Sequence, residues 1–447
     1  MKTLLKKAIP TTLLVKARPW YHGTKARLAA ARFHYPGREL TVVGITGTKG
    51  KTTTATFTGR LLNLAGIKAG YITTSVINTG DEEFLNPHKM TTIDGVKMQH
   101  YLRQMVSRGC THVVVELSSQ GLEQHRHWGL GGIDAGVFLN IYPEHIEAHG
   151  SFEKYVAAKA RMFAEMRPEG VVLINEDFPE SSAMWAGVKR TLAPRIRRVG
   201  YSAQNDIRIK PGQGIAKKFK LVGERRWYPT NLIADFDIAN AYVAALTIAH
   251  VTGRELPELL TLIAKLKTVP GRMEWVVREG KDVFTADGKV GPNSLNILVD
   301  YAHEPASMEQ LLRTLQAWKK QGEFANIVHV VSCDGVGRDD WKKPIMGELS
   351  HTLADYSVYT TDNYEAEDNP EQIVATLQEN ITPDKRVFAE IDRQKAFAKA
   401  LEVAESLKGP TVIVSTGVGT EQGLTQPSGV LSWDERAKWI EACSSSK

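Results

Sequence analysis

Gly44-Ile-Thr-Gly-Thr-Lys-Gly-Lys-Thr-Thr-Thr54 lies between a β-branched run at 40–46 and a helical pattern at 50–65. A glycine-rich turn in that setting presents backbone N–H groups and a helix N-terminus, which together make a phosphate site. Lys51 is expected to reach the terminal phosphates of a nucleotide, and the Thr52 hydroxyl to hold Mg²⁺. Gly47, Thr48, Lys49, Gly50 and Thr53 complete the expected loop. Its glycines fall at 44, 47 and 50, and Ile45 stands where the common phosphate loop has its first glycine. Gly-Lys-Thr alone occurs often by chance; placed between strand and helix, with a threonine run after it, it points to nucleotide chemistry.

Outward from the loop, apolar β-branched runs at 69–74, 111–117, 135–140 and 170–175 alternate with helical patterns at 95–107 and 152–165. Such βαβ alternation predicts a mainly parallel sheet covered on both faces. A second series of runs spans 296–415, so a second α/β domain is expected there. Between the two lie helical patterns at 237–251 and 256–266, then Thr268-Val-Pro-Gly-Arg-Met-Glu274. Proline and glycine after a helix are stop signals, which places the junction near 267–270. The expected domains are a basic extension at 1–40, a central ATP-binding domain at 41–267 and a C-terminal domain at 268–447.

Charge and composition exclude several classes. The net charge of +6 sits in residues 1–40, which carry nine Lys/Arg against Glu39 alone. Taking nine from 56 and one from 50 leaves 47 basic and 49 acidic residues, so the body is no nucleic-acid binder by charge. Pro10, Lys16 and Arg18 interrupt any secretory apolar stretch, and no run approaches a membrane span of about 18 residues. Cys110, Cys333 and Cys443 form no C-x-x-C pair, consistent with a reducing compartment. The expectation is a cytoplasmic monomer whose basic head, with Leu13, Leu14, Trp20 and Tyr21, either packs on the body or touches an anionic membrane.

The loop resembles the Thr-Gly-Thr-Asn-Gly-Lys-Thr-Thr signature of the Mur ligase family, with Lys49 in place of the asparagine. Glu116-Leu-Ser-Ser-Gln-Gly-Leu-Glu-Gln-His-Arg126 is similar to the segment Glu-x-Ser-Ser-His-Gly-Leu-x-Gln-x-Arg. That segment belongs to the branch adding the third residue to the UDP-N-acetylmuramoyl peptide of peptidoglycan. The resemblance implies that Glu116 binds Mg²⁺, and that Ser118, Gln124 and Arg126, with Thr91 and Thr92, face the muramoyl peptide. Gln120 replaces the family histidine. Asn140-Ile-Tyr-Pro-Glu-His-Ile-Glu-Ala-His149 resembles a further family block and implies His145 as ligand of a second Mg²⁺, with Glu116, Glu144 and Glu147 as candidate carboxylates. Lys159 stands where the family lysine is carbamylated by CO₂, becoming an anion able to ligate or orient Mg²⁺.

Asn240 matches an asparagine that contacts adenine; Arg272 and Asp300 match residues that close the nucleotide site from the C-terminal domain, taken here as a Rossmann-like α/β domain. The implied reaction is attack of a peptide carboxylate on the γ-phosphate of ATP, then displacement of phosphate by an amine. Arg338 matches a residue binding the α-carboxylate of the incoming amino acid. Asp362 and Asn363 match the start of the Asp-Asn-Pro-Arg determinant of diaminopimelate-adding members, but Tyr364 and Glu365 follow. A carboxylate there favours a side-chain ammonium, hence a lysine-like substrate. Glu421 is kept from the last family motif. About 40 residues precede the loop, so the resemblance implies a member without the usual UDP-binding domain. Rival readings are folylpolyglutamate synthase-like ligases, lipid-linked muropeptide amidating subunits, and a nucleotide-hydrolysing switch.

Overall fold

The computed structural model describes residues 11–144, 146–212, 215–286, 288–335, 339–382 and 384–445, with side chains from residue 19 onward. It folds as two compact units that divide between Lys267 and Thr268.

The first unit opens with helix α1 (Thr11–Arg32). An eight-stranded sheet follows: β1 (Thr41–Thr46), β2 (Ala69–Ile72), β3 (Val76–Asn78), β4 (Glu83–Leu85), β5 (His112–Glu116), β6 (Ile133–Phe138), β7 (Met166–Asn175) and β8 (Arg197–Tyr201), in the order 4-3-2-5-1-6-7-8. Strands β2, β5, β1, β6, β7 and β8 run parallel, and β3 and β4 close one edge antiparallel. Val42, Val43, Val113, Val114 and Val115 are all buried. Continuous burial of β-branched residues is what a parallel strand covered on both faces requires.

Helices α2 (Lys51–Leu64), α3 (Gly95–Ser107) and α4 (Phe152–Ala160) begin where the sequence supplies a start signal. Asp94 caps α3 by accepting from Val96 N, and Ser151 caps α4 by accepting from Lys154 N. Helix α1 joins this unit through small residues. A Cβ on Gly23 would lie 2.4 Å from the Trp128 ring, and one on Gly95 2.7 Å from Ala26 Cβ. From residue 19 onward the basic head is a helix docked on α3 and on the turn Arg126–Leu130.

Residues 176–236, which the hydrophobic pattern left unassigned, hold β8 and an antiparallel sheet of β9 (Ile207–Pro211), β10 (Lys217–Leu221) and β11 (Tyr228–Thr230). These strands bury few residues, among them Ile207, Phe219 and Tyr228. Helices α5 (Asp235–Thr252) and α6 (Leu256–Leu262) end the unit.

The second unit is built on β12 (Glu274–Arg278), β13 (Lys281–Asp282), β14 (Gly288–Lys289), β15 (Leu295–Val299), β16 (Asn326–Cys333), β17 (Tyr356–Thr361), β18 (Val387–Ala389) and β19 (Thr411–Ser415), ordered 14-13-12-15-19-16-17-18. From β15 to β18 the pairing is parallel, and β12 to β14 add an antiparallel edge. Its core gathers Ile297, Val330, Val358, Phe397 and Trp439. Both units are thus α/β, with mostly parallel strands.

Candidate active site

In the first unit the β1–β5 register pairs Ile45 with Glu116, and the β1–β6 register pairs Thr46 with Phe138. The loop after β1 therefore opens beside the C-terminal ends of β5 and β6, where α/β sheets bind ligands. Gly50 caps α2 with φ 78°, and a Cβ there would lie 2.6 Å from Asn240 Oδ1. Only glycine meets both demands. Asn240 also accepts from Thr54 Oγ1 at 3.2 Å, so α5 braces the start of α2.

The loop is held from its other side by Asn140, whose Oδ1 accepts from Thr48 N at 3.1 Å and Lys49 N at 2.8 Å, while its Nδ2 donates to Lys49 O at 3.0 Å. Thr48 Oγ1 accepts from Tyr142 N and lies 3.0 Å from the Tyr155 hydroxyl. Lys51 Nζ donates to Thr48 O at 2.8 Å, folded over its own loop. Lys49 forms an ion pair with the buried Glu144.

Glu116, 1% exposed, gathers the loop's hydroxyl groups. Its carboxylate accepts from Thr52 Oγ1 at 3.0 and 3.1 Å, from Thr74 N at 2.7 Å and from Thr74 Oγ1 at 2.9 Å. A carboxylate and a threonine hydroxyl beside a phosphate loop form a hard oxygen donor set that suits Mg²⁺. No group of three His, Cys, Asp or Glu is assembled for a metal among the described residues. His145 lies outside the described residues, and Glu147 is exposed.

Lys159 is also buried, 1% exposed, with Nζ donating to Gly47 O at 2.6 Å and lying 4.4 Å from the Tyr155 ring centre. Burial pushes its ammonium well below the usual lysine range, and the Lys51 charge pushes it further; Glu144 and Glu116 oppose both.

Thr91, Thr92, Ser118 and Arg126 come together beside Glu116. Thr92 Oγ1 accepts from Ser118 N at 2.9 Å and lies 3.2 Å from Ser118 Oγ, and Thr91 Oγ1 lies 3.0 Å from Thr74 Oγ1. Arg126 donates to Thr92 O at 2.7 Å. Ser118 caps the short helix Ser119–Glu123, and Gln124 follows its end with Oε1 buried and without a hydrogen-bond partner among the described residues. Gln120 is exposed.

In the second unit, Arg272 lies 4.3 Å over the Tyr301 ring, whose hydroxyl donates to Glu421 Oε1 at 3.2 Å. Asn363 Nδ2 donates to Glu421 Oε2 at 3.1 Å and to Asp334 Oδ1 at 3.3 Å. Asp300 accepts from Met273 N at 2.8 Å and Ala302 N at 2.7 Å, fixing the Arg272 turn; burial raises its pKa, and Arg272 counters this. The Asp362 carboxylate is buried and accepts from Ser332 Oγ at 3.0 Å. Burial first, then Asp334, raises its pKa well above the usual carboxylate range. Glu365 is exposed, and Arg338 lies outside the described residues.

Thr416, next to this row, is anchored by Arg393, which donates to Thr416 O at 2.9 Å and pairs with Glu435, both nearly unexposed. Breaking a buried pair by removing one partner costs about 3–5 kcal/mol. Arg393→Leu is therefore expected to lower the urea midpoint of the second unit's transition strongly, and the Arg393→Leu/Glu435→Leu double variant to recover part of the loss; a midpoint unchanged in the single variant contradicts this.

The residues that sequence reading missed are Asn140, Thr74, Tyr155 and Tyr301. Asn140 opens the block that ends at His149, but only its hydrogen bonds to Thr48 and Lys49 show that it clamps the loop.

Comparison with known proteins decides the family. The Mur ligase middle domain matches residues 45–248, and the Mur ligase glutamate ligase domain matches residues 271–419. The UDP-N-acetylmuramoyl-L-alanyl-D-glutamate--2,6-diaminopimelate ligase of Geobacillus kaustophilus is 32% identical over 92% of this chain and 80% of its own length. The chain belongs to the Mur ligase family. The UDP-N-acetylmuramyl-tripeptide synthetase of Deinococcus radiodurans is likewise 32% identical, over 92% of this chain and 80% of its own. Among solved structures, folylpolyglutamate synthase of Mycobacterium tuberculosis superposes with TM-score 0.69 at 17% identity, over 91% of this chain and 94% of that one. A 2,6-diaminopimelate ligase structure gives TM-score 0.59 at 24% identity, over 95% and 83%. These two likenesses concern the fold. As a Mur ligase, the chain is an ATP-dependent, ADP-forming acid–amino-acid ligase.

Proposed function

We propose that this Mur ligase adds the third amino acid to a muramoyl-dipeptide precursor of peptidoglycan. The observation that carries the proposal is the continuity of Glu116 with the Thr91, Thr92, Ser118 and Arg126 cluster. The block that anchors Thr52 of the phosphate loop also presents hydroxyl groups and a guanidinium suited to an anionic peptide.

In the first step a peptide carboxylate oxygen attacks the γ-phosphorus of ATP, and the bond to the bridging oxygen breaks with ADP leaving. In the second, the amine nitrogen attacks the acyl phosphate carbon, phosphate departs with the bonding pair, and the amine loses a proton. Lys51 moves from Thr48 O to the phosphates, and the loop N–H groups hold them in line. Thr52 and Glu116 would hold Mg²⁺, with His145 the candidate for a second ion. Mg²⁺ neutralises phosphate charge when bound. Lys159 carries CO₂ as a carbamate in this reading: burial and the Lys51 charge lower the pKa of its amine, and the Lys51 charge favours the anion formed. Asn240 is assigned to the nucleotide, as are Arg272 and Asp300.

For the incoming amino acid we assign Arg338 to the α-carboxylate, and Asn363 and Glu421 to the amine end. Glu365 supplies an exposed carboxylate where diaminopimelate-adding members have arginine, so a distal ammonium is favoured over a distal carboxylate. ADP release with the muramoyl dipeptide is expected to be highest with lysine or ornithine and at least about tenfold lower with diaminopimelate, a difference of about 1.4 kcal/mol. Preference for diaminopimelate refutes the charge argument. ADP release that needs no amino acid refutes the ligase reading in favour of a nucleotide switch.

A further inference from the structure

Helix α1 is packed the wrong way round for a helix whose outer face meets only water. Its body-facing side is Gly23, Ala26, Ala29 and Ala30, all buried. Its large apolar residues point outward, with Trp20 65% exposed, Tyr21 63% and Leu28 67%. No helix among the described residues is long and apolar enough to cross a membrane.

The pattern around the helix is ordered. At about 3.6 residues per turn, Trp20, Thr24, Leu28 and Tyr21 fall on one stripe, with Arg27 along one border and Lys25 and Arg32 along the other. The stripe continues onto α3 at Val96, which shares a shallow apolar groove with Trp20, Tyr21, Lys25 and Leu28. Arg27 lies 4.0 Å over the Trp128 ring, and Lys25 pairs with Asp94 at 2.8 Å, so both borders are tied to the body. An apolar stripe containing Trp and Tyr, edged by cations, is the arrangement of a helix lying in a bilayer interface. Residues 1–40 add nine basic residues against one acid, whereas the remainder is slightly acidic. Charge therefore selects an anionic surface.

We propose that the outer face of α1 docks the enzyme on the surface of an anionic lipid bilayer, with Trp20, Tyr21 and Leu28 entering the headgroup region. Binding needs both parts: the apolar stripe supplies insertion, and the cations supply attraction that salt screens.

The test is sedimentation of the full chain with phosphatidylglycerol/phosphatidylcholine vesicles and with phosphatidylcholine vesicles alone. Binding to the anionic vesicles is expected to be at least about tenfold tighter, and to fall steeply between low salt and 0.5 M salt, a concentration at which the screening length shrinks to about 4 Å. Trp20→Ser/Leu28→Ser is expected to weaken vesicle binding about tenfold or more while the melting midpoint and ADP release with soluble substrates stay unchanged. Arg32→Glu serves as a second variant in case the first disturbs α1, and should weaken binding to anionic vesicles alone. No binding at low salt, equal binding to neutral vesicles, or full binding by both variants overturns the proposal. A concentration-dependent dimer abolished by Leu28→Ser, without vesicle binding, overturns it in favour of a second copy of this chain.

Discussion

Lys159→Ala is expected to lower amino-acid-dependent ADP release on the order of a thousandfold, the range seen when a preorganised electrostatic group is removed. Lys159 sits beneath the loop with its Nζ on Gly47 O, beside Lys51, and with its charged form disfavoured by burial. If its work were to hold the loop as a cation, Lys159→Arg would retain activity. If its work is to present a carbamate, arginine fails as alanine does, and a short carboxylic acid such as acetate restores part of the rate to the alanine variant by occupying the vacated space as an anion. The measurement is steady-state ADP release with and without added acetate, with the melting midpoint recorded to show the variant is folded. Full activity in Lys159→Ala sinks the assignment.

Glu116→Ala comes second, with an expected loss of about a hundredfold to a thousandfold. Two functions meet at this carboxylate: it fixes Thr52 and Thr74, and in the proposed reading it neutralises Mg²⁺. Glu116→Gln separates them, because the amide keeps one oxygen acceptor for the hydroxyl groups but has no charge for a cation. The glutamine variant is expected to stay as inactive as alanine, and to need more Mg²⁺ for half-maximal rate. Recovery of the wild-type rate and Mg²⁺ dependence by glutamine would make Glu116 a tether only.

The central architecture was legible because parallel strands buried on both faces read as unbroken β-branched runs, as at Val113, Val114 and Val115. The antiparallel strands β9 to β11 were not, since lysine-rich segments such as Lys217–Leu221 bury a single residue, Phe219, and carry little apolar signal. Within the site, the motif around Glu116 pointed to its neighbours Ser118 and Arg126. It could not show that Asp362 turns inward to Ser332 while Asn363 turns to Glu421, because consecutive residues after a strand face opposite ways and one sequence does not say which way is in. For α1 the sequence offered two readings, packing on the body or facing an anionic membrane, and could not say which face does which; Gly23 and Ala26 hold the inner face and leave Trp20 and Leu28 outward.

The pairing of Ile45 with Glu116 across β1 and β5 ties phosphate loop and carboxylate to adjacent strands by main-chain hydrogen bonds. Side chains over the rest of the sheet can drift without changing that register. Divergence to 32% identity with the Geobacillus ligase is then tolerable to the chemistry. What drift cannot touch is any insertion in either strand, which would shift one ligand-bearing end past the other by a residue and leave the loop facing the wrong side chain.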